Sequence, residues 1–321
     1  MTEQRADYDS PWKESLDKYF AEFIAFFFPQ VHAEIDWTRG YEFLDTELQQ
    51  IVRDAELGRR LADKLVKVWR TSGDETWVLV HVEIQNQEES NFAERMFVYN
   101  YRIRDRYNRQ VVSMAVLSDE RSGWRPNTFE SQLWGCAISF KFPVIKLIDY
   151  KQQWQVLENT DNPFATVVMA HLKAQETRND QESRKYWKFY LTRRLYERGY
   201  QRQDVLNLFR FINWVMVLPE EVEASFLQEI KEYQQERQMP YITNFEQMII
   251  NRTIKQEKQR GLLSAIELGL ELKFGNEGLQ LLPEISEIKD VEVLEAIKAG
   301  LRTVSNLNEL RSLYKLDDSP N

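Results

Sequence analysis

Two segments in the first third of the chain constrain the fold most. LADKLVKVW (61–69) and WVLVHVEIQ (77–85) flank Thr71-Ser72-Gly73-Asp74, a turn signal between runs rich in β-branched and aromatic residues. The pair predicts an antiparallel hairpin. The second run is apolar on both faces until its last residues, as expected of a central strand covered on both sides. A strand of that kind belongs to a larger sheet with helices above and below it.

The flanking sequence supplies such helices. Ser10-Pro11 reads as an N-cap followed by a proline at the first helical position. Trp12, Leu16, Tyr19, Phe20, Phe23, Ile24 and Phe27 then recur at helical spacing up to Pro29, which should end the helix. An extended piece is expected over 33–37. A second amphipathic helix, with Leu44, Leu48, Ile51, Val52 and Ala55 on one side, should close at Gly58. After the hairpin, 88–109 predicts a helix striped with Phe92, Met96, Tyr99 and Ile103, and 110–117 (QVVSMAVL) predicts another apolar strand. The run 138–150 (ISFKFPVIKLIDY) is strand-like but broken at Pro143, so it is expected near a sheet edge. Past Asn159-Thr160-Asp161-Asn162-Pro163 helical patterns dominate to the end, interrupted at Gly275 and Pro283. The expected organisation is a three-layer α/β domain over 1–158, a helical extension over 159–260 and a small helical domain over 261–321.

Composition narrows the function. Lys and Arg number 42 against 51 Asp and Glu, a net charge of −9, which excludes a uniformly basic nucleic-acid coat but not one local basic face. One cysteine, Cys136, allows no internal disulfide and no cysteine-based zinc site; it reads as a buried structural thiol in a reducing cytoplasm. Three histidines rule out a histidine-rich metal site. The first residues lack a signal-peptide pattern, and no apolar run approaches the ~20 residues of a membrane span, so no membrane partner is expected.

Position sorts the many acids. On an otherwise apolar strand a carboxylate is costly unless it is paired, hydrogen-bonded or metal-bound. Asp63 sits near the start of the first hairpin strand. Glu83 sits near the end of the second, with His81 and Gln85 on the same side by two-residue alternation. A turn near Ser72-Gly73 brings Asp63 and Glu83 close to opposite each other. Two converging carboxylates make a hard oxygen site suited to Mg2+ or Mn2+. The bland alternative pairs Asp63 with Lys64, Lys67 or Arg60 at a strand end. Gln85 can orient a water or simply bond a neighbouring backbone group, and His81 reads as a satisfied core histidine. On the following helix Arg95, Tyr99 and Arg102 share a face at i, i+4, i+7 spacing, suited to phosphate contact or to an ordinary solvated face. Arg184, Lys185, Lys188, Arg193, Arg194 and Arg198 form a second basic cluster, also a candidate patch for DNA.

The order helix, strand with Asp63, strand with Glu83-x-Gln85, basic helix, strand is similar to the PD-(D/E)xK nuclease core. More closely, LADKLVKVW…WVLVHVEIQNQ…AERMFVYNYRIRDRY resembles the recombination-promoting nuclease family, whose members are often labelled transposases, over about residues 9–150. The resemblance implies a mixed sheet flanked by helices and a metal-dependent DNA endonuclease. It makes Asp63 and Glu83 the ligands of Mg2+ or Mn2+, puts Gln85 where the superfamily carries a lysine, and gives Arg95, Tyr99 and Arg102 to DNA. Ala62 stands where the superfamily often has proline. The stretch from about 261 to 314 resembles a small helical domain found on cyanobacterial members, to which no function is assigned; a homo-oligomer, if formed, is expected through the helical C-terminal region as a whole. A rival expectation keeps the nuclease fold as an inactive scaffold for DNA or protein. Strand transfer finds little support, because no third strand-borne acid stands out.

Overall fold

The hairpin turn is closed by the Arg70 N–H donating to the Asp74 carbonyl and the Gly73 N–H to the Arg70 carbonyl, both at 2.8 Å. Gly73 has φ +92°, a conformation glycine adopts without steric cost. The computed structural model describes residues 11–44, 48, 63–83, 91–237, 244–288 and 290–314; at 63, 78–83, 220, 244–257 and 276 it describes the backbone alone. The chain divides into two compact units, one spanning Ser10–Tyr241 and one formed chiefly by Ile242–Asn321.

In the larger unit the apolar face predicted near the N-terminus forms α1 (Pro11–Lys18) and α2 (Phe20–Phe27), broken at Tyr19. Pro29 does not end the helical region. It opens α3 (Pro29–Glu34), because a proline at the first helical position lacks only an N–H that no helix bond needs. The extended piece expected at 33–37 reduces to one bridge, Ile35 to Arg70. Then come β1 (Glu42–Phe43), β2 (Asp63–Trp69), β3 (Glu75–Glu83), α4 (Phe92–Tyr107) and β4 (Gln110–Leu117). Apart from Leu44 and Leu48, the amphipathic helix expected from Leu44 to Gly58 lies outside the described residues.

The run 138–150 is not one strand. It is divided among β6 (Cys136–Lys141), β7 (Val144–Lys146) and a 3-10 turn. β6 pairs with β5 (Thr128–Leu133) in a separate hairpin, while β7 joins the main sheet at its edge, where Pro143 accepts a bond from the Ala115 N–H at 3.0 Å. The main sheet has the order β1-β2-β3-β4-β7, antiparallel on the β1-β2-β3 side and parallel from β3 to β7. The architecture is therefore mixed α/β with a five-stranded mixed sheet.

One face of the sheet lies under α4. Leu65 and Trp77 pack with Tyr99 and Ile103, and Ala115 and Leu117 pack with Phe92 and Met96. The other face carries Lys64, Val66, Met114 and Val116, each 3% exposed or less. Asp17 of α1 reaches Lys64 at 2.7 Å from that side.

The helices that follow are α5 (Trp154–Asn159), α6 (Pro163–Glu176), α7 (Gln181–Glu197), α8 (Arg202–Val215) and α9 (Glu220–Arg237). They belong to the same unit as the sheet. Phe164 packs edge-on to Phe23 at 5.1 Å, and the Tyr19 hydroxyl donates to Asp204 at 2.8 Å. The division between units thus falls at 241/242 rather than at the 158/159 and 260/261 boundaries expected from the shift in sequence character. The first aromatic helices cover the sheet and the helical layer at once, so these two cannot separate.

The second unit contains α10 (Asn244–Leu279), bent at Gly275 with φ 59°, followed by α11 (Leu282–Ser286), α12 (Val291–Gly300) and α13 (Leu307–Arg311). Leu262, Ile266, Leu270, Leu281, Ile285, Leu294, Ile297 and Leu310 form its core. Among the described residues no helix is long and apolar enough to cross a membrane.

His171 of α6 is buried beside the end of β4, with Nε2 3.2 Å from the Ser118 carbonyl and 3.0 Å from the Gln175 side chain. Burial pushes its pKa down, against the opposing effects of the Ser118 carbonyl and Glu120. Its contribution is complete above the unfolded-state value of about 6.5 and is lost below it, as the unfolded chain binds a proton that the native site resists. The slope of this loss is at most about 1.4 kcal/mol per pH unit, and it ends where the native site itself takes up the proton. Denaturant unfolding of wild type and His171→Gln across pH 5–8 checks this: the stability difference between them should shrink as pH falls.

Candidate functional site

Strand register decides where the candidate acids fall. Asp63 pairs with His81, and Glu83 lies two residues further along β3. Directly paired residues share a face and so do residues two apart, so positions 63, 81 and 83 occupy one face of the sheet. Asp63 and Glu83 are diagonal neighbours rather than directly opposed. Such neighbours are about 7–8 Å apart along the backbone, within reach of long side chains. This is the face covered by α4. Glu83 pairs with Leu117 of β4, whose neighbour in α4 packing is the first turn of that helix, near Phe92 and Met96. The acid positions therefore lie at the end of the sheet where the parallel strands finish, a usual location for sites in α/β proteins. Gln85 lies outside the described residues.

The helix residues divide. Arg95 is 4% exposed and Tyr99 is 1% exposed, with Tyr99 in the cluster of Leu65, Trp77 and Ile103. In this conformation neither can meet a DNA backbone directly, which corrects the contact expected for them. The helical stripe that suggested a phosphate-binding face is the face the helix packs on the sheet. Arg102 is half-buried and Arg104 is exposed, so the basic character of α4 reaches solvent further along it. The second basic cluster is corrected as well. Lys188 (1% exposed) pairs with Glu223 at 2.6 Å, and Arg194 donates to the Leu157, Glu158 and Thr160 carbonyls, capping the C-terminal end of α5. Arg184 donates to the Ala174 and Val217 carbonyls, Lys185 pairs with Glu229, Arg193 with Glu197 and Arg198 with Asp161. Lys188 and Arg194 are internal struts, and the other four are engaged in partly exposed ion pairs or carbonyl bonds.

A third acid at the same end of the sheet escaped the sequence reading. Asp119, two residues beyond β4, is 1% exposed, and both its oxygens accept from the Lys146 ammonium, at 2.9 and 2.8 Å. Lys146 also donates to the Trp124 carbonyl at 2.7 Å, and the Arg121 N–H donates to Asp119 at 2.9 Å. All three ammonium protons have acceptors. Lys146 pairs in register with Leu117, so this ion pair sits on the same face as positions 63 and 83. Both Asp119 oxygens are thus engaged by Lys146, and one of them also by the Arg121 N–H. A polar residue just past an apolar strand, in LSDE, was the available signal; its partner 27 residues later was not readable.

The donor chemistry at 63 and 83 fits a hard divalent cation, since both positions carry carboxylates on one face of adjacent strands. Among the residues whose side chains are described, no group of three or more His, Cys, Asp or Glu could hold a metal. On α1, Glu14 pairs with Arg210 at 3.3 Å. Cys136, expected buried, is exposed, as is most of the β6 strand that it opens.

No protein-family model matches the chain, and neither a search of curated proteins nor one of solved structures finds a match.

Proposed function

We propose that this protein is a divalent-metal-dependent DNA endonuclease of the PD-(D/E)xK kind, related to the recombination-promoting nucleases and acting in the cytoplasm on mobile or foreign DNA. One observation carries the reading: the register that sets Asp63 and Glu83 on one face of adjacent strands, at the end of the sheet. In this reading Asp63 and Glu83 hold Mg2+ or Mn2+. The bound ion would supply Lewis-acid polarisation of a phosphate and a water of lowered pKa. Gln85 would orient a water through its amide. Arg102 lies seven residues from Arg95, about 10 Å along the helix, and contacts a phosphate beside the scissile one. Arg95 and Tyr99 act from beneath, fixing α4 on the sheet and so fixing the acids it covers.

A second reading keeps the fold as a DNA- or protein-binding scaffold. The buried guanidinium of Arg95 favours it: a cation at 4% exposure calls for anionic or hydrogen-bonding company, and the strand acids at this end of the covered face are one source. Incubation of purified protein with supercoiled plasmid separates the two. The nuclease reading expects nicking with Mg2+ or Mn2+ and none with chelator. DNA binding without cleavage in either metal selects the scaffold.

A further inference from the structure

Leu117, the last residue of β4, has a register partner on either side: Glu83 of β3 and Lys146 of β7. Directly paired residues share a face, so the three form one row across the end of the sheet, on the side that α4 covers. Two strand spacings separate the backbones of 83 and 146 by roughly 10 Å. Phe92, the first residue of α4, is 0% exposed and packs with Leu117 in the middle of the row. Arg95 lies within the same first turn, its guanidinium 5.4 Å from the Phe92 ring. The Lys146 ammonium holds the loop that follows β4, through both Asp119 oxygens and the Trp124 carbonyl. The Trp124 ring then meets Phe92 edge-on at 5.6 Å. Contacts thus run in a closed circuit, from Lys146 to Trp124, to Phe92, to Leu117 and back through the ladder to Lys146.

We infer that Lys146 is a positioning residue for the metal site at 63 and 83, acting through Trp124 and Phe92 on the first turn of α4. The inference rests on the nuclease reading. Stability alone does not account for the arrangement. A buried ion pair is often no more stable than apolar side chains of the same volume, so this pair, at 0% and 2% side-chain exposure, calls for another reason. What it adds is direction. Three ammonium bonds fix the loop at Asp119 and Trp124 in one geometry, which apolar packing on an edge strand would leave looser. That geometry is delivered to the helix turn above Leu117, beside position 83. Charge fits as well. Asp119 balances the ammonium at 2.9 and 2.8 Å, so the row adds no net positive charge to repel a dication held by 63 and 83. The loop is also tied to the helical layer, where Gln175 of α6 donates to the Ser118 carbonyl at 2.7 Å. The helical layer steadies the loop, and Lys146 carries that constraint to the row beside the metal ligands.

Plasmid-nicking kinetics and Mn2+ titration of the full chain test this, with amide hydrogen exchange over 95–100 as a readout that needs no metal. Lys146→Met with Asp119→Leu keeps the interior filled but removes the donor to the Trp124 carbonyl. It should lower kcat and Mn2+ affinity by about 10- to 100-fold, as loss of a group supporting a ligand does, and leave KM for plasmid within about twofold. Exchange over 95–100 should quicken, placing the effect in α4. Trp124→Ala retains the Lys146–Asp119 bonds and its own carbonyl, and removes only the ring against Phe92. It should reproduce the same split between kcat and KM. Trp124→Phe returns a ring to that contact and should restore most of the loss. The tryptophan variants decide the matter if the double variant folds poorly. Wild-type kcat and Mn2+ affinity in Trp124→Ala and in the folded double variant would overturn the inference and leave the nuclease reading standing. Equal losses in Trp124→Ala and Trp124→Phe would overturn it too. A wild type that neither binds Mn2+ nor nicks plasmid would overturn both.

Discussion

Glu83→Ala should abolish Mg2+- and Mn2+-dependent plasmid nicking, lowering it by about three orders of magnitude or more, while the protein folds as before. The split between activity and stability is what makes the result informative. Position 83 takes part in the sheet through its backbone, in register with Leu117, so removing its side chain does not touch the hydrogen bonds of the sheet. If the acid served only to neutralise a buried guanidinium on α4, its loss would instead strand that cation and lower the melting temperature. Unfolding and nicking measured on the same preparation distinguish the two. Lost activity with unchanged melting is the nuclease result; lower melting with no metal-dependent nicking in wild type is the scaffold result.

Lys146→Ala should be the most destabilising polar substitution near the site. The pair it forms with Asp119 is buried on both sides, at 0% and 2% side-chain exposure. Removing the lysine leaves an uncompensated carboxylate in an apolar setting, a loss of about 3–5 kcal/mol. In a unit of this size that corresponds to a fall in melting temperature on the order of 10 °C. The double variant Lys146→Met with Asp119→Leu should recover most of the loss, because replacing a whole buried pair by apolar groups of similar volume is often neutral. Thermal melts of the single and double variants check this. Equal destabilisation in both would mean that the strut holds the 118–127 loop in a way no apolar pair can replace.

The parts of the fold legible in the sequence are those set by local periodicity. The Asp63–Trp69 and Glu75–Glu83 strands follow from β-branched alternation around a glycine turn, and Gln110–Leu117 appears at the bounds its apolar run predicts. Thr128–Leu133 was not legible, since TFESQL is mostly polar and a Trp-Gly turn lacks the usual Asn-Gly signature. That omission also misplaced Cys136. The candidate acids were legible as charges on apolar strands, but their diagonal offset depends on register, which a turn of four residues leaves uncertain by a step. The basic residues of Gln181–Glu197 show the limit most clearly. On a helix with charges all round, only tertiary packing determines that Lys188 and Arg194 face inward. Lys146 and Asp119 were invisible for the same reason, being joined across 27 residues by the arrival of an edge strand.

Binding of Mn2+ to the full chain, followed by calorimetric titration of wild type and Glu83→Gln, tests the central claim most directly. The account expects wild type to bind the ion, and Glu83→Gln to weaken that binding by about 100-fold, as befits loss of a direct ligand. Equal binding by the two proteins, or none by wild type, would contradict a metal centre at positions 63 and 83.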